Sequence, residues 1–359
     1  MINCKKSARL MIGTLCAMAL AMPTLTSCEH KDLCFDHDVH SPKYDFRVVA
    51  TYQQEWELNL NEKVWSSEAE WPEKYGMTYD GLRPAIPAGL RMHVFSESGV
   101  NDMINMPAEG GVVGLQPGDH QLLFYNNDTE YILFDDMYSF ASAKATTRTR
   151  TRSTYMGNPF KNNDAKGEPT VTMPDMLYGN FNEKYTSERT TEMPVMNVTM
   201  HPMVFKYLVR YEFSKGLKYV SLVRGALSGM AASVYMNNGH TTTDAATLLY
   251  DCTLEPWGAQ AIVTSFGVPD WPNSLYQPTR GPRSYALNLE VRLKNGIIKS
   301  FDFDVTKQIE AQPQGGVIVV KGLEITDEEG KKGGSGFDVS VDGWGDYEDI
   351  VIPLNNIDG

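Results

Sequence analysis

The chain has 359 residues, of which 42% are hydrophobic and 21% charged, a length for about two domains and a composition that excludes wholesale disorder. Its 32 basic and 45 acidic residues give a formal net charge of −13 at pH 7, which excludes a protein whose affinity comes from neutralising nucleic-acid phosphates.

Residues 1–27 carry Lys5, Lys6 and Arg9 and no acid, and an apolar stretch over 10–25 is interrupted by Gly13, Thr14 and Pro23. That stretch is short of the roughly 20 apolar residues of a spanning helix and has the make-up of a secretory signal. It ends in Leu25-Thr26-Ser27-Cys28, the pattern of a bacterial lipobox, with a leucine three positions before the cysteine and small residues beside it. Residues 1–27 are therefore predicted to be a lipoprotein signal peptide, and 28–42 a tether that begins at lipidated Cys28. A diacylglycerol together with an amide-linked chain such as palmitate gives stable attachment where one acyl chain would not. Of the five cysteines, Cys4 and Cys16 leave with the signal and Cys28 carries lipid. Cys34 and Cys252 then either form a bridge or remain two inert thiols.

Beyond the tether the sequence reads as strands. Tyr44, Phe46, Val48, Ala50 and Tyr52 alternate with mostly polar neighbours, the period-2 signature of a strand over 44–53 with one buried face. Leu90, Met92 and Val94 repeat the pattern. Pro117-Gly118 is a turn before a strand over 120–126, and strands over 131–134 and 138–143 follow. These compose an N-terminal domain over 43–146.

The composition then shifts. Arg148, Arg150 and Arg152 alternate with threonines, and 158–169 is polar and turn-rich, so 147–173 is predicted to be a linker or long loop. Strands resume in a C-terminal domain over 174–359, with candidates at 195–198, 205–211, 219–223, 261–266, 285–293, 297–305, 317–320, 337–341 and 350–354. Lys294-Asn295-Gly296 is predicted to be a hairpin of type I′. The Ala-containing stretches 228–236 and 242–250 are the places for a short helix, although the weight falls on β structure. Short strands with Gly and Pro turns argue for sandwiches.

No Gly-rich phosphate loop, Gly-x-Ser-x-Gly elbow or His-Glu-x-x-His helix occurs, and no set of nucleophile, base and oxyanion donor can be assembled. Neither an enzyme nor a cofactor is expected. His30, Cys34, Asp36, His37, Asp38 and His40 have zinc-ligand chemistry but lie in the tether, where a polar spacer is the favoured reading over a metal site. Asp342-Gly343-Trp344-Gly345-Asp346 is an acidic turn without the twelve-residue calcium pattern, so no metal is assigned there either. Trp56, Trp65, Trp71, Tyr75 and Tyr79 crowd an insertion after the first strand. They either cap a sandwich or form a ligand surface whose rings stack on a glycan or fill a partner's pocket.

The lipobox followed by Cys28-Glu29-His30-Lys31-Asp32-Leu33-Cys34-Phe35-Asp36-His37 resembles the start of a family of Bacteroidetes lipoproteins grouped with the fimbrillin-like proteins. The likeness continues in 115–126, in Met173-Pro174-Asp175-Met176-Leu177-Tyr178-Gly179, in 214–230, and in the ending 339–354. It implies two tandem Greek-key β-sandwiches of the transthyretin-like kind, lipidation at the surface of the cell outer membrane, and a structural or adhesive role in fimbria-type fibres. It also implies fimbrial subunits as partners through β-strand addition. In such proteins a stalk subunit loses its first strand to an Arg-specific protease, and the vacated groove accepts a neighbour's strand. Here the only arginine between the strand at 44–53 and the next is Arg83, and Pro84 follows it. An unprocessed anchor or accessory subunit is therefore the favoured role, with a glycan-binding surface lipoprotein as the alternative.

Overall fold

The alternating run after Lys43 forms strand β1 (Tyr44–Tyr52), which buries Phe46, Val48 and Ala50 along one face. The computed structural model of the chain describes residues 42–54, 71–96, 99, 101–150, 167–271 and 284–331. The chain divides into two units at Lys43 and Tyr44, and the architecture that follows belongs to the second.

After β1 come helix α1 (Trp71–Tyr75) and a 3-10 turn (Tyr79–Leu82), then β2 (Gly89–Ser96), β3 (Asn101–Pro107), β4 (Gly110–Leu115) and β5 (Gly118–Asn126). Next are β6 (Ile132–Asp135), β7 (Lys144–Thr147), β8 (Thr170–Val171), β9 (Tyr178–Ser187) and β10 (Val195–Pro202). The rest comprises β11 (Phe205–Lys215), β12 (Val220–Ala231), β13 (Ser233–Tyr235), β14 (Ala245–Asp251), β15 (Thr253–Glu255) and β16 (Gly258–Ser265). It ends with β17 (Ala286–Leu293), β18 (Ile298–Asp304), α2 (Thr306–Glu310), β19 (Gly316–Glu324) and α3 (Asp327–Lys331).

The first sheet has seven strands in the order β3-β2-β5-β9-β10-β1-β4. Its two edge strands, β3 and β4, are consecutive in the chain and joined by Ala108 and Glu109 alone. Such a link spans about 11 Å at most, whereas the edges of a flat seven-stranded sheet lie about 29 Å apart, so the sheet must curl. The curl encloses one apolar cluster to which all seven strands contribute, among them Phe46, Leu90, Met92, Met106, Val113, Phe124, Tyr178 and Met200. Strands β2 and β5 are buried on both faces, and their outer residues Phe95, Leu123 and Tyr125 pack on a small sheet of order β13-β7-β6.

The second body is a β-sandwich. A four-stranded sheet, β15-β16-β11-β19, faces a five-stranded one, β18-β17-β12-β14-β8. Tyr207, Val209 and Tyr211 of β11 share one buried core with Val223 and Leu227 of β12 and Leu287, Leu289 and Val291 of β17. The Tyr211 and Tyr250 hydroxyls lie 2.7 Å apart inside that core, each satisfying the other's polar group.

The expected division at 147–173 does not separate these bodies. β9 and β10, which lie beyond it, return to the first sheet, where β9 pairs with β5 and β10 with β1. β13, farther on, pairs with β7. Within 147–173, Thr149 bridges to Val171, and the Arg150 N–H donates to the Thr170 carbonyl at 2.7 Å. Periodicity finds strands but not their partners, and the partners here lie far apart in sequence.

Three local expectations change. Residues 138–143 form turns, not a strand. The Ala-containing stretches 228–236 and 242–250 are mainly strand, in β12, β13 and β14. At the β17–β18 hairpin only Gly296 takes positive φ (83°), with Gly296 N–H on the Leu293 carbonyl and Leu293 N–H on the Ile297 carbonyl, both 2.8 Å. That is a three-residue loop with a glycine bulge in place of a type I′ turn. The Asn295 amide donates to the Glu329 carbonyl at 2.9 Å, which ties α3 to the hairpin.

Candidate functional site

Strand β1 lies inside the curled sheet, hydrogen-bonded on both sides. It runs parallel to β10 from Arg47↔Val195 to Tyr52↔Met200, and antiparallel to β4 from Tyr44↔Leu115 to Val49↔Gly110. Bonds at the ends extend the pairing, with Arg47 N–H on the Pro194 carbonyl (2.8 Å) and Gln53 N–H on the Met200 carbonyl (2.9 Å). Taking β1 away would leave a slot one strand wide between β10 and β4, about 10 Å across and floored by the apolar cluster.

Side chains fix β1 in that slot. Phe46 packs on Tyr185 with ring centroids 4.6 Å apart, and Tyr52 meets Tyr178 edge to face at 5.1 Å. The Tyr52 hydroxyl donates to the Ala108 carbonyl at 2.9 Å, on the two-residue link between β3 and β4. Burial, reinforced by Asp128 and Glu109, pushes the Tyr52 phenol up to about 12. Tyr178 is likewise pushed up to about 12, by burial and then by Tyr52. On β4, Gly110 takes φ 103°, and a Cβ there would overlap the carbonyl oxygen of Val48. The backbones approach so closely that only glycine fits. Gly110-Gly111 ahead of the alternating Val113 and Leu115 was the sequence signal for this contact, and it is not part of the candidate set drawn from the sequence.

The described part of the aromatic insertion, from Trp71 onward, proves to be a cover. Trp71, Tyr75 and Tyr79, expected as part of a ligand surface, are 2%, 5% and 6% exposed. They pack with Leu82 on Phe205, Leu208 and Val317, on the outer face of the four-stranded sheet. Arg210 of β11 locks them there, since its Nη1 donates to the Tyr75 carbonyl at 2.6 Å and its guanidinium lies 3.8 Å from the Trp257 ring. The sheet leaves an apolar outer face, and the insertion supplies the side chains that dry it. Trp56 and Trp65 lie outside the described residues, as do Cys28, the His30–His40 cluster and the acidic turn at 342–346. Cys252 is a free thiol pushed far above its ordinary range by burial.

A cleft of about 720 Å³ opens between β7 and β13 on one side and β8 and β14 on the other. Two of its charged groups are engaged within the protein. Glu168 accepts the Gly229 N–H at 3.0 Å and the Thr247 hydroxyl at 2.8 Å, and Lys144 pairs with Asp136 at 2.9 Å. No aromatic side chain lines it among the described residues.

The segment between β1 and β2 bears on processing of the strand. Arg83 pairs with Asp80 at 2.8 Å, its guanidinium lies 5.3 Å from the Tyr79 ring, and its carbonyl accepts from Lys206 Nζ at 3.2 Å. Arg91, the next arginine, lies within β2, which is paired on both sides.

A curled sheet joined to a β-sandwich, with the first strand closing the curl, defines an all-β protein. Residues 80–251 match the family model described as Domain of unknown function (DUF5119), a segment that begins before β2 and ends at β14, across both bodies. The chain is 22% identical over 311 residues, 78% of its length and 89% of its relative's, to a Bacteroides ovatus protein provisionally named fimbrium anchoring subunit Fim4B. It also shares its fold with the crystal structure of a protein from Bacteroides ovatus provisionally described as an adhesin. There the TM-score is 0.53 at 18% identity, covering 84% of this chain and 99% of the other.

Proposed function

We propose that the protein is a structural subunit of a fimbria-type surface fibre, held at the outer membrane by lipid on Cys28 and placed at the base of the fibre or beside it. The observation that carries this reading is the state of β1, a complete interior strand in its own slot. The strand begins sixteen residues after Cys28, so its removal would detach the protein from its anchor. The arginines nearest to it in the following segment are Arg83, before a proline, and Arg91, inside a central strand, and neither suits a trypsin-like protease. The name of the Bacteroides ovatus relative agrees with an anchoring role. A subunit whose slot is filled by its own strand offers its neighbours a surface or a free edge rather than an open groove.

The test is isolation from intact outer membranes. Pilus-type subunits should accompany the wild-type protein, whereas Cys28→Ala should abolish fatty-acid labelling and release the protein from the membrane. Unchanged labelling would refute the lipid anchor, and the absence of fibre subunits would refute the fibre role. A glycan-binding role has lost the support of Trp71, Tyr75 and Tyr79, whose rings are buried in the cover.

A further inference from the structure

Strand β19 is the edge of the four-stranded sheet, and part of that edge is closed by side chains instead of a strand. One side of its backbone pairs in parallel with β11, Leu208 opposite Val317 and Arg210 opposite Val319. The other side of an edge strand ordinarily presents N–H and C=O groups ready to pair with another chain. Here the Val317 N–H donates to Gln312 Oε1 at 2.7 Å, and the Val317 carbonyl accepts from Gln312 Nε2 at 3.1 Å. Two residues on, the Val319 N–H donates to Gln308 Oε1 at 2.9 Å, and the Val319 carbonyl accepts from Gln308 Nε2 at 3.1 Å. Each carboxamide makes the two bonds that one residue of an antiparallel neighbouring strand would make.

The spacing explains why it works. Gln308 lies in α2 and Gln312 just past its end, in a turn that continues it through Ala311 N–H on the Lys307 carbonyl (3.3 Å) and Gln312 N–H on the Ile309 carbonyl (2.8 Å). Residues four apart in such a turn rise about 6 Å, and residues two apart on a strand are separated by about 6.6 Å. Gln308 and Gln312 therefore fall in step with alternate residues of β19, running in the opposite direction. Their frame is rigid: Ile309 between them is buried in the sandwich core, and Gln312 Nε2 also donates to the Gln308 carbonyl at 3.0 Å. Gly316, at φ 154°, completes the arrangement, because a Cβ there would overlap the Gln312 carboxamide.

We propose that Gln308 and Gln312 are an edge lock, a surrogate strand that prevents an extended segment of another protein chain from adding to β19. Any subunit that joins by strand addition must then use a different edge. The inference concerns which edge is closed and stands apart from the anchor reading.

The experiment compares full-length Gln308→Ala/Gln312→Ala with Glu310→Ala, an exposed neighbour on the same helix. Sedimentation at increasing protein concentration should show self-association in the double variant beyond that of the control. Hydrogen exchange at Val317 and Val319 should accelerate by roughly tenfold or more. A folded double variant that matches the control in mass and in exchange overturns the proposal. Should the double variant fail to fold, the wild-type protein decides: slow exchange at both amides supports the lock, and exchange at the rate of an open peptide overturns it.

Discussion

Val48 and Gly110 meet where no side chain fits, the carbonyl oxygen of one occupying the space a Cβ on the other would fill. This contact sets the distance between β1 and β4 and so decides how firmly the first strand is held. Gly110→Ala should lower stability by on the order of 3 kcal/mol, through the strained φ and the forced shift of β1. The check is the midpoint of urea unfolding, where a change below about 0.5 kcal/mol would show that the contact is slack.

Alkali should loosen the same strand. Tyr52 and Tyr178 hold their protons up to about 12 in the folded protein, against an ordinary value of 10.0. Below pH 10 both phenols are neutral whether the chain is folded or not, and their contribution is complete. Between pH 10 and about 12 the unfolded chain ionises first, so stability falls across that window. Tyr52→Phe should flatten the fall, as read from unfolding midpoints at successive pH values.

Trp71→Ala should cost about 3–5 kcal/mol, because the indole centres a cover over Phe205, Leu208 and Val317. Binding of a hydrophobic dye should rise as that face opens. A variant of wild-type stability would mean that the rings are ornaments of the surface after all.

Cleavage at Arg152, Lys161 or Lys166 should leave a nicked chain that does not separate. The strands beyond the cut, β9 and β10, are bonded into the first sheet, and β13 is bonded to β7. The two fragments should co-elute in native buffer and part only in denaturant. Separation in native buffer would restore two independent domains divided at 147–173.

How much of this was legible depended on whether a residue's role was local. Phe46, Val48 and Ala50 announced β1 by alternation alone, since one face of that strand is wet and the other dry. β9, with Asn180, Asn182, Glu183 and Lys184 among its residues, has no such contrast and escapes a reading by pattern. Residues 138–143 carry Tyr138 and Phe140 as a strand would, but Ser142 turns back to hydrogen-bond the Asp136 carbonyl at 2.9 Å. The aromatic insertion was legible as important and ambiguous in kind. Whether a tryptophan faces solvent or a sheet depends on β11 and β19, more than 120 residues away. The glutamine lock was invisible for the same reason, since Gln308 and Gln312 gain meaning only beside β19.

The mature N-terminus of the protein isolated from cells tests the anchor account most directly. The account predicts a chain that begins at lipid-modified Cys28 and retains β1. A chain that begins between Gln54 and Arg91 would contradict it, since the strand and its anchor would both be gone and the slot would stand open to a neighbouring subunit.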